Sequence, residues 1–150
     1  MADSVSPEVR SRMMAGIRAK DTKPEMIVRR GLHAMGFRFR LHARELPGNP
    51  DLVLAKYRAV IFVNGCFWHG HECPLFKWPK TREEFWREKI GRNKRNDLTN
   101  AAKIAELGWR NLTVWECRIK RSDSDSLASL FCQCGDWLAS GGDCLEIGAL

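Results

Sequence analysis

The fifteen residues from Gly65 to Pro79, GCFWHGHECPLFKWP, hold two cysteines, two histidines, two phenylalanines and two tryptophans. Cys66, His69, His71 and Cys73 put four soft or borderline donors inside eight positions, bounded by a glycine and a proline. That density suits a loop folded around an ion. Zinc in a closed structural site takes four tetrahedral ligands. Cys66, one histidine and Cys73 would need one more donor, and Cys117, at the end of a later apolar run, is the obvious one. Spacing does not choose between His69 and His71, so one imidazole is spare, and a spare imidazole titrating near neutrality is a candidate acid or base. The aromatic residues of the loop fit either buried core or a contact surface.

A second chemical candidate is Asp51, delivered by the turn Pro47-Gly48-Asn49-Pro50 to the start of a strand. In a basic protein that is where a Mg²⁺ ligand for phosphodiester hydrolysis would sit, since Mg²⁺ takes one or two carboxylates and completes its shell with water and phosphate oxygens. Glu25 is accounted for by position alone, as the acid of the capping box Thr22-Lys23-Pro24-Glu25.

The elements that must position these groups follow from periodicity. Ser6-Pro7-Glu8 opens a helix over about 7–19, with Met13, Met14 and Ile17 as its apolar stripe. The capping box opens a second helix, closed by Gly36. Phe37 to Leu41 alternates as a half-buried strand, and Asp51 to Leu54 and Ala59 to Val63 form a hairpin whose second strand is apolar enough to be central. Thr81-Arg82-Glu83-Glu84 is read as another capping box, opening a helix that breaks near Gly91 and resumes to Leu107. Trp109 to Glu116 is a strand ending at Cys117, giving the order ααβββααβ. From Ser122 the chain turns Ser/Asp-rich and then shows Leu127, Leu130, Phe131, Cys134 and Leu138 at helical spacing, as a linker and an appended helix would.

Composition narrows the classes. A chain of 150 residues with six cysteines and a formal charge of +7 fits one self-sufficient domain. The cysteines read as metal ligands or reduced thiols; Cys132, Cys134 and Cys144 are inert thiols by default. Lys and Arg spread from Arg10 to Arg121 imply an anionic partner, nucleic acid above all. The longest apolar run is too short to span a bilayer, and no signal-peptide pattern opens the chain, so a cytoplasmic protein without membrane contact is expected.

The stretch LPGNPDLVLAKYRAVIFVNGCFWHGHECPLFKWPKTREEFWREKIGRNKRND, followed by LGWRNLTVWEC, resembles the very-short-patch-repair (Vsr) DNA mismatch endonucleases over roughly residues 11–121. The resemblance implies a restriction-endonuclease-like α/β fold, with a central mixed β-sheet flanked by helices and a structural zinc site. It makes residues 1–121 the mismatch endonuclease domain, its helix at about 7–19 touching DNA, and leaves 122–150 as a linker and appended helix of unknown role. It implies a monomeric bacterial enzyme that nicks double-stranded DNA 5′ of the mispaired T in T:G pairs left by 5-methylcytosine deamination, with mismatch-repair proteins as candidate partners. Asp51 and the Val63 main-chain carbonyl would hold catalytic Mg²⁺, with Glu25 and His69 assisting and Asp97, Asn93 and Asn64 in the same catalytic region. His71 would join Cys66, Cys73 and Cys117 on structural Zn²⁺. Phe67, Trp68 and Trp86 would wedge between base pairs, and Met14 would reach the DNA from the other groove.

The chain departs from the family pattern at Val63-Asn64, where a Thr-His pair is common, and no acid-x-Lys pair follows Asp51. A main-chain contact at 63 is indifferent to that change, whereas position 64 loses an imidazole. These departures keep two other readings open: a zinc-stabilised DNA-binding protein with weak or no catalysis, and a nuclease of the same fold without mismatch preference.

Overall fold

The computed structural model describes residues 22–120 and 122–148. The expected helix at 7–19, with Met14, lies outside the described residues.

Helix α1 (Lys23–Ala34) starts where Thr22 caps it: the Glu25 backbone N–H donates to Thr22 Oγ1 at 3.4 Å, and Pro24 stands in the first turn. Strand β1 is short, Arg40–Leu41, and pairs antiparallel with β2 (Leu52–Leu54), which pairs antiparallel with β3 (Ala59–Asn64) across a tight turn at 55–58. Helix α2 (Glu83–Glu106) carries the chain to β4 (Arg110–Trp115), parallel to β3. A one-turn helix α3 (Glu116–Ile119), helix α4 (Ser124–Ser140) and strand β5 (Leu145–Ile147), parallel to β4, complete a mixed sheet of order β1-β2-β3-β4-β5.

The two-residue period of the central strands sorts the core onto both faces of the sheet. Leu52, Leu54, Ala59, Ile61, Leu112 and Val114 meet Val28 and Leu32 of α1 and Leu130, Cys134 and Leu138 of α4. The alternate positions Val53 and Val60 turn to the opposite face, where Ile104 of α2 packs with Ala43 and Leu46. Gly31 permits the α1–α4 approach, because a Cβ there would lie 2.3 Å from the Phe131 ring. Arg110 ties the C-terminal end of α4 to the sheet, donating to the carbonyls of Trp137, Leu138, Gly142 and Tyr57.

Several local expectations are corrected. Only the last two residues of the 37–41 alternation join the sheet, since Phe37 leaves it to pack against Tyr57. Helix α2 runs unbroken through Gly91. Its N-cap is Arg82 in the left-handed region with no side-chain capping bond, so the Thr81 capping box does not form. Strand β4 ends at Trp115, and Cys117 sits in α3. The helix expected around 127–138 is α4, packed into the core; β5 has no counterpart in the sequence reading. Among the described residues no helix is long and apolar enough to cross a membrane.

Candidate active site

The loop leaving β3 turns back immediately: His69 N–H donates to Gly65 O at 3.3 Å and His71 N–H to Cys66 O at 2.9 Å. Gly70 sits between the histidines at φ +62, with a Cβ there only 2.7 Å from Ile90. A glycine is needed both for the turn and for the approach to α2, and beyond it the two imidazoles go to different neighbours.

His71 goes to the cysteines. The donor atoms of Cys66, His71, Cys73 and Cys117 all lie within 4.8 Å of one another, with Cys117 Sγ 3.5 Å from His71 Nδ1. Tetrahedral zinc with bonds of about 2.3 Å to sulfur spaces its ligands about 3.8 Å apart, so the donor set and its spacing fit such an ion. The His71 ring is stacked on Trp115 at 4.1 Å between centroids, and burial holds its pKa below the ordinary value, opposed by the nearby carboxylates Glu146 and Glu72. Burial pushes the Cys66 thiol up, while the Cys117 N–H donated to Cys66 Sγ at 3.3 Å favours a charged sulfur. Glu116, the neighbour of Cys117, accepts the Cys66 N–H at 3.3 Å and so ties α3 to the loop.

His69 goes to α2. Its Nδ1 lies 2.6 Å from Asp97 Oδ2, and one turn earlier on the helix Asn93 donates to Trp68 O at 2.8 Å. A carboxylate only accepts, so Nδ1 carries the proton facing Asp97, which leaves Nε2 as the nitrogen that can exchange a proton.

Across the same cleft, of about 1250 Å³, stand Asp51, Glu25 and Val63. Asp51 Oδ2 accepts the Val63 N–H at 2.7 Å, which sets the carboxylate beside the residue 63 backbone. Burial pushes the Asp51 carboxyl up to about 7, reinforced by the like charge of Glu25 and opposed by the Val63 N–H and by Arg29. Glu25 is 2% exposed, and its Oε2 accepts from Arg29 on the next turn of α1 and lies 2.7 Å from His42 Nε2. The capping-box account of Glu25 therefore covers only its backbone. The donor atoms of Glu25, His42 and Asp51 also fall within 4.8 Å of one another. The two carboxylates of this set fit a hard divalent cation that keeps several waters.

Asn64 ends β3 opposite Trp115 and lines the same cleft, as do Asn93, Asp97, Phe67 and Trp68. Trp86 stands outside the lining but packs on Phe67 and Trp68, at 5.4 and 5.8 Å between ring centroids. Every candidate residue within the described range except Trp86 thus joins one of two donor clusters or lines the cleft. Sequence reasoning missed His42 and Arg29, and also the cleft wall formed by Cys144 and Glu146. Arg29 was readable as an i,i+4 partner of Glu25. His42 continues the polar alternation of Arg38 and Arg40, a weaker signal. The wall at 144–146 depends on β5 and had none.

A mixed α/β sheet with a carboxylate cleft, a histidine–aspartate pair and a half-buried aromatic cluster has the constitution of a nucleic-acid hydrolase. The family profile of DNA mismatch endonuclease Vsr matches residues 2–75. DNA mismatch endonuclease Vsr of Escherichia coli is 42% identical over 147 residues, covering 98% of this chain and 94% of that protein. Type II nicking enzymes of Xanthomonas oryzae (47% over 119 residues, 79% of this chain and 88% of the relative) and Neisseria meningitidis (42% over 120 residues, 80% and 86%) are also similar. The chain belongs to the Vsr family of DNA mismatch endonucleases.

Proposed function

We propose that this mismatch endonuclease nicks double-stranded DNA on the 5′ side of the mispaired T in T:G pairs by Mg²⁺-dependent hydrolysis, initiating very short patch repair. The observation that carries the reading is the His69–Asp97 pair, 2.6 Å apart, lining one cleft together with the half-buried Asp51 carboxyl.

Asp51 and the Val63 main-chain carbonyl would hold Mg²⁺, with Glu25 addressing its waters. The ion would polarise the scissile phosphate and offset the negative charge that builds on it. His69 Nε2, the nitrogen not engaged by Asp97, takes the proton of the attacking water; Glu25 orients that water. Asn93 keeps the loop at its working distance by holding the Trp68 carbonyl. Asn64 can hydrogen-bond a phosphate oxygen but cannot move a proton as an imidazole does. Structural Zn²⁺ on Cys66, His71, Cys73 and Cys117 would pin the segment bearing His69, two residues from His71. The charge of +7 suits the DNA backbone, and Phe67, Trp68 and Trp86 supply a rigid wedge. Unstacking costs a few kcal/mol, about least at a mispair, so a wedge converts weak pairing into selectivity. Met14, on the segment before α1, is assigned to the opposite groove. A monomer acting on DNA in the bacterial cytoplasm is the setting this implies.

The test is an end-labelled duplex carrying T:G, beside its T:A counterpart, in several cytosine-methyltransferase target contexts. A nick confined to the 5′ side of the mispaired T and abolished by EDTA is expected. Retention of the duplex without cutting would favour the zinc-stabilised binding protein, and equal cutting of both duplexes a nuclease without mismatch preference.

A further inference from the structure

His42 lies just after β1, in the loop that faces α1, and touches both Asp51 and Glu25. Its backbone N–H donates to the Asp51 carbonyl at 3.1 Å, and its ring Nε2 lies 2.7 Å from Glu25 Oε2. One residue thereby spans from the strand that delivers Asp51 to the helix that delivers Glu25. The His42 backbone is at φ +49, a left-handed conformation that is costly for a side-chain-bearing residue. Such strain persists only where the surroundings over-determine it, and here the main-chain bond to Asp51 and the ring bond to Glu25 both restrain it.

The terminal torsion of a glutamate is soft, with a broad and roughly two-fold preference. Arg29 alone does not remove that freedom relative to Asp51, because it rides on the same helix as Glu25. His42 comes from the sheet side and meets the same oxygen, Oε2, that Arg29 meets. Two donors from different elements fix both the plane of the carboxylate and its separation from Asp51. The side chains of His42 and Glu25 are only 17% and 2% exposed, so water offers the bond little competition.

We propose that His42 is a positioning residue, whose Nε2–H bond to Glu25 and backbone bond to Asp51 set the spacing of the two carboxylates for the nicking reaction. The role rests on Glu25 and Asp51 serving that reaction as described above. It assigns the ring a donor's part: Nε2 carries a proton, and the imidazole neither binds the cation nor shuttles protons.

The full-length protein can be tested in two ways that fail independently. In ¹⁵N-histidine-labelled wild type, the His42 ring, identified by the signal that disappears in His42→Gln, should show a slowly exchanging proton on Nε2. A bare Nε2 overturns the assignment whatever the activity. Single-turnover nicking of the T:G duplex at saturating Mg²⁺ is then compared among wild type, His42→Gln and His42→Leu. Glutamine keeps an N–H donor and should stay within about threefold of wild type, whereas leucine should slow the step about tenfold or more with DNA retention unchanged, as expected for losing a hydrogen bond to a charged group. Equal rates in all three would show that His42 positions nothing. Glutamine as slow as leucine would move the imidazole itself into the chemistry and equally overturn the proposal. Should the leucine variant not fold, the glutamine rate and the ring proton decide. A wild type that nicks no mispaired duplex counts against the nicking reading, and the ring proton alone then judges the His42–Glu25 bond.

Discussion

The donor atoms of each cluster lie within 4.8 Å of one another, but the clusters have different origins. Three members of the sulfur-rich cluster come from one eight-residue loop, and only Cys117 arrives from elsewhere. The oxygen-rich cluster draws Glu25 from α1, His42 from the loop after β1 and Asp51 from the lead-in to β2, so it exists only after the sheet and helix have packed. The first can help to make the fold; the second is made by it. A structural ion contributes folding free energy, whereas a cation held by one or two carboxylates and water is free to exchange with the reaction it serves.

The largest effect should follow from breaking the sulfur cluster. Cys117→Ala should remove the zinc and lower the melting temperature by about 10 °C or more, because metal binding of this kind is folding free energy. One zinc per chain retained after that change, measured by elemental analysis, would show that Cys117 is no ligand.

Asp51→Ala should do the reverse, lowering the nicking rate about a thousandfold or more while zinc content and DNA retention stay as in wild type. Persistent cutting would remove Asp51 from the chemistry and erase the contrast between the clusters.

A finer distinction is the response to pH. Burial pushes the Asp51 carboxyl up from its ordinary 3.8 to about 7. With the folded value raised, the stability this group contributes is whole below 3.8 and is lost as pH rises through about 7. Relative to Asp51→Asn, the Mg²⁺-free protein should therefore melt progressively lower across that window, and Mg²⁺ should remove the decline by taking the deprotonated oxygen. Parallel profiles for the two proteins would contradict the burial of a titrating carboxyl.

The smallest effect belongs to the surface between the clusters. Trp68→Ala should narrow the ratio of T:G to T:A nicking by about fivefold, the low end of what one base–aromatic stack contributes. An unchanged ratio would leave Phe67 and Trp86 as the whole wedge, or none of it.

The contrast in origin also explains what the sequence could reveal. Contiguous signals survived: the Cys66 to Cys73 spacing, the Thr22 cap and the apolar run of β3 are local, and each has a direct counterpart in the fold. Whether His69 or His71 joins the cysteines was open by spacing, because the turn at Gly70 that separates them depends on packing against Ile90 of α2. The clamp on Glu25 was illegible for a related reason. Its local pattern already had a sufficient explanation as a helix cap, and its partner His42 is seventeen residues away. β5 escaped notice because Leu145–Ile147 is too short to show an alternation, and it is a strand only because the edge of β4 is there to pair with it.

The account rests on one chain holding two ions with separate tasks, and the most direct measurement counts and exchanges them. Purified protein is treated with EDTA, analysed for metal, and assayed on the T:G duplex before and after Mg²⁺ is restored. The prediction is one zinc per chain surviving the treatment, no nicking without Mg²⁺, and full nicking once Mg²⁺ alone is returned. Nicking that persists without Mg²⁺, or that returns only with added zinc, would show that the sulfur-rich cluster serves the chemistry and contradict the division.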